Sequence, residues 1–195
     1  MKNNKTTYIT RVAILSTIAF ILYFIEIKVP FFPEFLMLDF TDIPALIGAF
    51  ALGPIAGVLV ELIKNILHLI FLSNAGSPIG ELANFIVGIS LVGTAGYIYK
   101  RKKTKQNAVK GMILGTIIMA LVGGVFNYYV LIPFYAKYMV PLETIIRMGS
   151  IINERIDSLK DLIIYAIIPF NIFKGIIVSF ITALLYKKLS PVIHK

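Results

Sequence analysis

Apolar runs long enough to cross a membrane follow one another along almost the whole sequence, and they constrain the fold more than any other feature. A transmembrane helix needs about 20 predominantly apolar residues. Six such runs with their connectors use nearly all of the 195 residues, of which 58% are hydrophobic and only 15% charged. That composition excludes an ordinary soluble domain. We therefore predict an all-α integral membrane protein in which residues 1–195 form a single transmembrane bundle.

The distribution of basic residues predicts the topology. The net charge is +9, and most Lys and Arg residues fall in three clusters without acidic residues. The clusters are Lys2, Lys5 and Arg11; Lys100, Arg101, Lys102, Lys103, Lys105 and Lys110; and Lys187, Lys188 and Lys195. Positive residues favour the cytoplasmic side and attract anionic lipid, which explains the charge better than nucleic acid does. Six transmembrane helices with cytoplasmic N- and C-termini place all three clusters in the cytoplasm.

Two polar residues interrupt the last apolar run, which extends from about Leu162 to Tyr186. Asn171 and Lys174 are three residues apart and share one face of a helix. A lysine at the centre of a transmembrane helix costs roughly 2.5 to 3.5 kcal/mol, so something must compensate it. Pro169 can loosen the preceding turn. We interpret this face as a binding site in which Lys174 donates to a neutral ligand rather than forming half of an ion pair.

A second polar stripe lies in the apolar stretch from Ile43 to Leu72, which Gly53-Pro54 divides into a short helix and a longer one. Spacings of three and four place Glu61, Lys64, Asn65 and His68 on one flank of the longer helix, facing the bundle interior. Two interpretations stay open. The stripe either contains a structural Glu61–Lys64 ion pair or lines a solute site.

The start of the short helix is a further candidate for ligand contact. Thr41 or Asp42, followed by Pro44, indicates an N-cap with proline in the first turn. The free amides there either meet a ligand or are simply capped. The first run, from Tyr8 to about Ile27, carries the small residues Ala13, Ser16 and Thr17. These permit close helix packing, either inside the bundle or against a partner protein.

In the predicted orientation the outer halves of the spans form one polar pocket, which contains the 36–45 segment, Asn84, Asn127 and Asn171, with Lys174 just below. Amides and an ammonium among Leu, Phe and Tyr side chains suit a flat heteroaromatic ligand with an amide-like edge and hydroxyls. The chain has no Cys, only two His and no H-E-x-x-H or G-x-S-x-G motif. We therefore expect neither an enzyme, nor a metal site, nor a cofactor. Without a phosphate-binding loop, any ATP-driven transport needs an ATPase in another chain.

Five segments, in order, carry a resemblance to a known family. They are Leu38-Asp39-Phe40-Thr41-Asp42-Ile43-Pro44-Ala45, Gly53-Pro54-Ile55-Ala56-Gly57 with Glu61-Leu62-Ile63-Lys64-Asn65, Gly80-Glu81-Leu82-Ala83-Asn84-Phe85, Asn127-Tyr128 with Pro133, and Pro169-Phe170-Asn171-Ile172-Phe173-Lys174-Gly175. Together they resemble the riboflavin-specific S component of energy-coupling factor (ECF) transporters, over nearly the whole chain. The resemblance implies a multi-pass protein of the bacterial cell membrane that binds riboflavin from outside. It also implies docking on a transmembrane coupling subunit and two cytoplasmic ATPases.

The resemblance also implies site residues. The implied ligand contacts are Leu38, Asp39, Thr41, Asp42, Pro44, Ala45, Asn127, Asn171 and Lys174, with Lys64, Asn65 and Asn84 in contact or just behind. The family's docking surface uses small residues in an A-x-x-x-A pattern, which Ala13 and Thr17 match only in part. The alternative function is a self-sufficient secondary transporter or channel, which an internal repeat would favour. We find no convincing repeat, and no catalytic constellation for a membrane-embedded enzyme.

Overall fold

The structure is a computed structural model that describes residues 2–71 and 77–193, with side chains described for 5–71 and 77–186. Four of the basic residues that predict the topology therefore have side chains outside the described part: Lys2, Lys187, Lys188 and Lys195. The helices are α1 (Lys2–Leu22), α2 (Asp42–Leu52), α3 (Pro54–Phe71), α4 (Pro78–Arg101), α5 (Lys105–Phe126), α6 (Ile132–Tyr138), α7 (Leu142–Ser150), α8 (Leu159–Leu162) and α9 (Ile168–Ile193). Two short strands, β1 (Ile27–Lys28) and β2 (Met37–Leu38), lie between α1 and α2.

Five helical segments in the described ranges are long and apolar enough to cross a membrane, which confirms the predicted helical membrane protein. They are Lys5–Leu22, Pro54–Phe71, Pro78–Arg101, Lys105–Tyr138 and Leu159–Tyr186. Helix α2 is apolar but has only 11 residues. At 1.5 Å per residue it is about 16 Å long, roughly half of the hydrocarbon thickness. The count of six spans and the cytoplasmic termini stay predictions.

The break between α2 and α3 lies where the sequence predicts it. Gly53 has a φ of 106°, a left-handed conformation that glycine adopts without steric cost. Pro54 follows as the first residue of α3. Helix α2 turns back at this point and packs against α1, α3, α4 and α9. It is buried from Asp42 to Phe50, so its first turn lies inside the bundle.

The predicted extent of the first helix is wrong at its C-terminal end. Helix α1 ends at Leu22, and Tyr23 and Ile25 donate backbone hydrogen bonds to the third residue before them, which turns the chain out of the helix. Ile27 then pairs with Leu38 in an antiparallel ladder of two residues per strand. Strand pairing thus supplies backbone hydrogen bonds that a longer α1 would otherwise have made.

Two long helices each contain one π-helical turn. Helix α5 continues through a π-helical turn at Asn127–Leu131 into α6, and α8 continues through another at Ile163–Ile167 into α9. The second turn ends just before Pro169, which has no N–H to donate, so it confirms the predicted loosening. The two π-helical turns contact each other. Such turns are frequent at functional sites.

Candidate ligand-binding site

A cavity of about 500 Å³ lies at one end of the bundle. Its wall is formed by several segments that meet at this end. They are the residues just after α1, the C-terminal end of α3, the first turns of α4 and α9, the π-helical turn after α5, and parts of α6, α7 and the 35–39 connector. Tyr8, Gly53, Lys100 and Lys103 line a separate cleft, which places the basic connector beside the start of α1. Tyr23, near the other end of α1, lines the large cavity. The cavity and the basic connector are therefore at opposite ends of the bundle.

Three asparagine side chains face this cavity from three different helical segments: Asn84, Asn127 and Asn171. Asn127 donates an N–H to the Gly123 carbonyl at 2.8 Å, and Asn171 donates one to the Ile167 carbonyl at 2.9 Å. These bonds to the preceding helical turn fix the orientation of each amide. An amide has a second N–H and a carbonyl oxygen, with which it can meet both donors and acceptors of a ligand.

Lys174 lines the cavity as an ion-paired residue, so the expectation that it is not half of an ion pair is wrong. Its Nζ lies 2.6 Å from Oδ2 of Asp39 and 3.4 Å from Oδ2 of Asp42. Lys174 is only 8% exposed, and a buried ammonium needs a counter-charge. Asp39 is the partner, and it reaches Lys174 from the connector before α2.

Asp39 is held in turn by its own loop. Its Oδ1 accepts hydrogen bonds from the backbone N–H of Thr41 at 3.0 Å and from the Thr41 hydroxyl at 2.6 Å. Burial by itself would raise the pKa of the Asp39 carboxyl. The ammonium of Lys174 outweighs that effect and holds the pKa below its ordinary value. Asp39 is thus an ionised anchor that attaches the connector to α9.

A second lysine lies deeper and completes an ionic network of Asp39, Asp42, Glu61, Lys64 and Lys174. Nζ of Lys64 lies 2.5 Å from Oδ1 of Asp42 and 2.8 Å from Oε2 of Glu61, and it donates to the Thr41 hydroxyl at 2.8 Å. The predicted Glu61–Lys64 ion pair is confirmed, with Asp42 as an additional partner. A Cβ atom at position 88 would overlap the Glu61 carboxylate, so Gly88 of α4 gives this network its space.

The structure divides the predicted ligand contacts into two sets. Asp39, Asn84, Asn127, Asn171 and Lys174 line the cavity. Leu38, Thr41, Asp42, Pro44, Ala45, Lys64 and Asn65 are buried behind its wall instead. Thr41 is the N-cap of α2 by position, but its side chain makes no capping hydrogen bond. The ligand-binding role of both sets stays a prediction.

Two further side chains on the cavity wall, Tyr23 and Glu81, were not predicted as ligand contacts. His68 lies beside them on the wall and belongs to the polar stripe for which a solute site was one of two open interpretations. Nδ1 of His68 lies 2.7 Å from Oε1 of Glu81, and the His68 ring stacks on the Tyr23 ring at a centroid distance of 4.1 Å. Glu81 precedes Asn84 by three residues, so helical spacing could have indicated that both share a face of α4. Tyr23 could not have been found in this way, because the sequence does not show where α1 ends.

The three predicted docking residues of α1 do not share one face. Ala13 and Thr17 are exposed on the outside of the bundle. Ser16 is only 1% exposed, and its hydroxyl donates to the Val12 carbonyl. Ser16 as a docking residue is therefore a wrong prediction, because the helix turns it to the same side as the buried Val12 and Ala19.

A helical membrane bundle with a polar cavity at one end defines a class of solute-binding membrane protein. Residues 7–186 match the family model of the ECF transporter substrate-specific component. The chain belongs to this family.

Curated relatives and a solved structure are similar along nearly their whole length. The chain is 41% identical to the riboflavin transporter RibU of Staphylococcus aureus, covering 97% of this chain and 93% of that protein. It is 32% identical to the riboflavin transporter FmnP of Bacillus subtilis, covering 94% and 92%. A solved S component of a bacterial ECF transporter superposes with a TM-score of 0.78 at 37% identity, covering 98% of this chain and 99% of that one.

Proposed function

We propose that this chain is the riboflavin-binding subunit of an ATP-driven ECF-type importer in the bacterial cell membrane. The observation that carries the proposal is the cavity lined by Asn84, Asn127 and Asn171 beside the Lys174–Asp39 pair, in a chain 41% identical to a riboflavin transporter. The cavity volume of about 500 Å³ falls within the range of about 300–1,000 Å³ that is typical of small-molecule sites.

The chemistry of the lining suits the isoalloxazine ring of riboflavin. That ring is flat and largely apolar, and one edge carries alternating carbonyl and N–H groups like those of an amide. Asparagine amides match such an edge with donors and acceptors. Apolar side chains such as Leu131 and Phe170 complete the wall and can bury the rest of the ring.

The proposed orientation places the cavity on the outer side. The Lys100–Lys110 connector lies at the opposite end from the cavity, and positive connectors favour the cytoplasm. The Tyr99 and Tyr186 hydroxyls lie 3.3 Å apart, so the end of α9 is beside that connector as well. These contacts support a six-span topology in which α2 counts as a short span and both termini are cytoplasmic.

Transport in this proposal needs other subunits. The sequence contains no ATP-binding loop, so ATP hydrolysis in this proposal takes place in another chain. Membership of the ECF family supports two ATPase subunits joined through a transmembrane coupling subunit. The exposed Ala13 and Thr17 on α1 are the proposed docking residues on this chain. Their small side chains would let a partner helix approach closely.

The test of the proposal is flavin binding by the purified protein. We expect detergent-purified protein to carry a yellow, fluorescent ligand, and we expect Asn127→Ala to weaken riboflavin binding by roughly 10-fold, as loss of one hydrogen bond does. Asn107→Ala is the matched control, since Asn107 lies on the same helix next to the basic connector. Titration of riboflavin fluorescence measures both.

A colourless protein without riboflavin affinity would contradict the proposal. Riboflavin uptake into proteoliposomes by this chain alone would instead support the alternative, a self-sufficient transporter.

A further inference from the structure

Tyr23, His68 and Glu81 form a compact group on the cavity wall, and the proposed function does not yet use them. Each comes from a different helix or its end, and all three line the cavity. Glu81 binds His68 through Oε1, His68 stacks on Tyr23, and the Tyr23 hydroxyl donates to Oδ1 of Asn65 at 2.9 Å. The group is therefore fixed from α3, α4 and the end of α1 together.

One atom of this group has an unused hydrogen-bonding position. Glu81 is only 6% exposed, and its Oε2 has no hydrogen-bond partner within residues 5–71 and 77–186. A buried carboxylate oxygen without a donor costs free energy. Both oxygens of Asp39, the other buried carboxylate on the wall, accept hydrogen bonds from Thr41 and Lys174. Among the described residues, Glu81 is therefore a buried acid of the cavity wall with one unused acceptor oxygen.

The chemistry of this acceptor restricts what it can bind. An ionised carboxylate only accepts hydrogen bonds, so its ligand partner must supply an O–H or N–H. Because His68 already holds Oε1, the direction of the carboxylate is set before a ligand arrives. In a neutral flavin, the hydroxyls of the polyol chain are the most numerous donors, and the ring edge is matched by the asparagine amides.

We propose that Glu81, held by His68, accepts a hydrogen bond from a hydroxyl of the ligand's polyol chain and so distinguishes riboflavin from a flavin without that chain. This inference rests on the proposed function and adds a specificity-determining residue to it. His68 is a positioning residue, since it acts through Glu81. A site built to bind a hydroxyl discriminates strongly against an analogue that lacks it, because the buried polar group then stays without a partner.

The test compares two flavins on one variant. Lumiflavin has the same ring with a methyl group in place of the polyol chain. We expect Glu81→Gln to weaken riboflavin binding by roughly 10- to 100-fold, the range for a hydrogen bond to a charged group, and to leave lumiflavin binding within about twofold. Glu34→Gln is the matched control, because Glu34 is exposed and pairs only with the exposed Lys28 among the described residues. Fluorescence titration of each flavin gives both affinities.

The outcomes separate this inference from the proposed function. Unchanged affinity for riboflavin in Glu81→Gln, or an equal loss for both flavins, would overturn the role of Glu81. Wild-type protein that binds neither flavin would overturn the proposed function and this inference with it. Intact lumiflavin binding also shows that the variant is folded.

A second variant tests the positioning role and does not depend on how Glu81→Gln folds. His68→Phe retains an aromatic ring against Tyr23 but removes the hydrogen bond to Glu81. We expect a smaller loss of riboflavin affinity, about 3- to 10-fold, with lumiflavin affinity unchanged. A His68→Phe protein with an unaltered ratio of riboflavin to lumiflavin affinity would show that His68 does not position Glu81.

Discussion

Two groups of charged side chains lie in this bundle, and they differ in the groups that neutralise their carboxylates: two lysines in one and a single histidine in the other. The ionic network brings each lysine against two carboxylates, and Lys64 and its partners are at most 3% exposed. In the second group, Glu81 shares one oxygen with His68 and keeps the other free of any partner in the described part of the chain. The first group is held together by lysine–carboxylate ion pairs, although Oε1 of Glu61 also has no hydrogen-bond partner among the described residues. The second group has a histidine in place of a lysine, and its carboxylate belongs to a residue that lines the cavity.

The difference teaches that a charge inside a membrane bundle does not by itself indicate a ligand contact. Intramembrane charges are expensive, so both functional and structural ones must be compensated. The network joins the connector, α2, α3 and α9 through Asp39, Asp42, Lys64 and Lys174, which is a structural task. Lys174 belongs to it but also reaches the cavity wall. Stability and binding should therefore respond differently to changes in the two groups.

The largest expected effect is on stability, from Lys64→Met. The change leaves the Asp42 and Glu61 carboxylates buried without their shared ammonium, and removal of one partner from a buried ion pair costs about 3–5 kcal/mol. We expect a strongly lowered melting temperature, or failure to accumulate folded protein, in detergent followed by far-UV circular dichroism. Lys110→Met, on the exposed start of α5, is the control. Equal melting temperatures would show that the network does not stabilise the bundle.

A smaller loss of stability combined with a loss of affinity is expected for Lys174→Met. Its ammonium lies at the cavity wall, where water can partly solvate the remaining Asp39, so we expect a cost of about 1–3 kcal/mol. Riboflavin binding should weaken as well, because the connector that carries Asp39 loses its attachment to α9.

Glu61→Gln changes a residue that lies behind the wall, so it should leave riboflavin affinity within about twofold of wild type. A large loss in Glu61→Gln would mean that the network and the site are one unit.

The smallest effect on stability is expected for Glu81→Gln. A glutamine keeps a carbonyl oxygen as the acceptor for His68. It replaces Oε2 of the carboxylate, which has no hydrogen-bond partner among the described residues. Without ligand, the free energy of unfolding should change by no more than about 1 kcal/mol, so the melting temperature should stay close to that of wild type. Thermal unfolding of the variant and the wild type, each without and with riboflavin, checks this. The increase in melting temperature that riboflavin causes should be smaller in the variant, while the melting temperatures without riboflavin should be similar. A ligand-free protein as unstable as Lys64→Met would place Glu81 among the structural charges.

Much of the fold was predictable because the signals for it are local. The length of each apolar run predicts a spanning helix, and Gly53-Pro54 predicts the break between α2 and α3 without knowledge of other helices. Spacing of three residues placed Asn171 and Lys174 on one face, and both line the cavity. The end of α1 was not predictable in this way, because the chain leaves the helix after Leu22 and Ile27 then pairs with Leu38, eleven residues further along.

The partners of the charged residues were only half predictable, for the same reason. The Glu61–Lys64 pair lies within one helix, where spacing suffices. The Lys174–Asp39 pair joins residues 135 positions apart, and nothing near Lys174 in the sequence indicates Asp39.

By itself the sequence thus determined the class of protein, the helical elements, the family and the asparagines that face a cavity. Hydrophobic length and helical period decide the class of protein, the apolar helices and the shared helix faces, and both are properties of short segments. The family follows instead from the resemblance of five short sequence segments. Only the tertiary structure decided which charges neutralise one another. Short-range contacts between distant segments make that choice, because a buried ammonium pairs with whichever carboxylate packing brings within about 3 Å of it. The same packing leaves Oε2 of Glu81, a residue of the cavity wall, without a hydrogen-bond partner among the described residues.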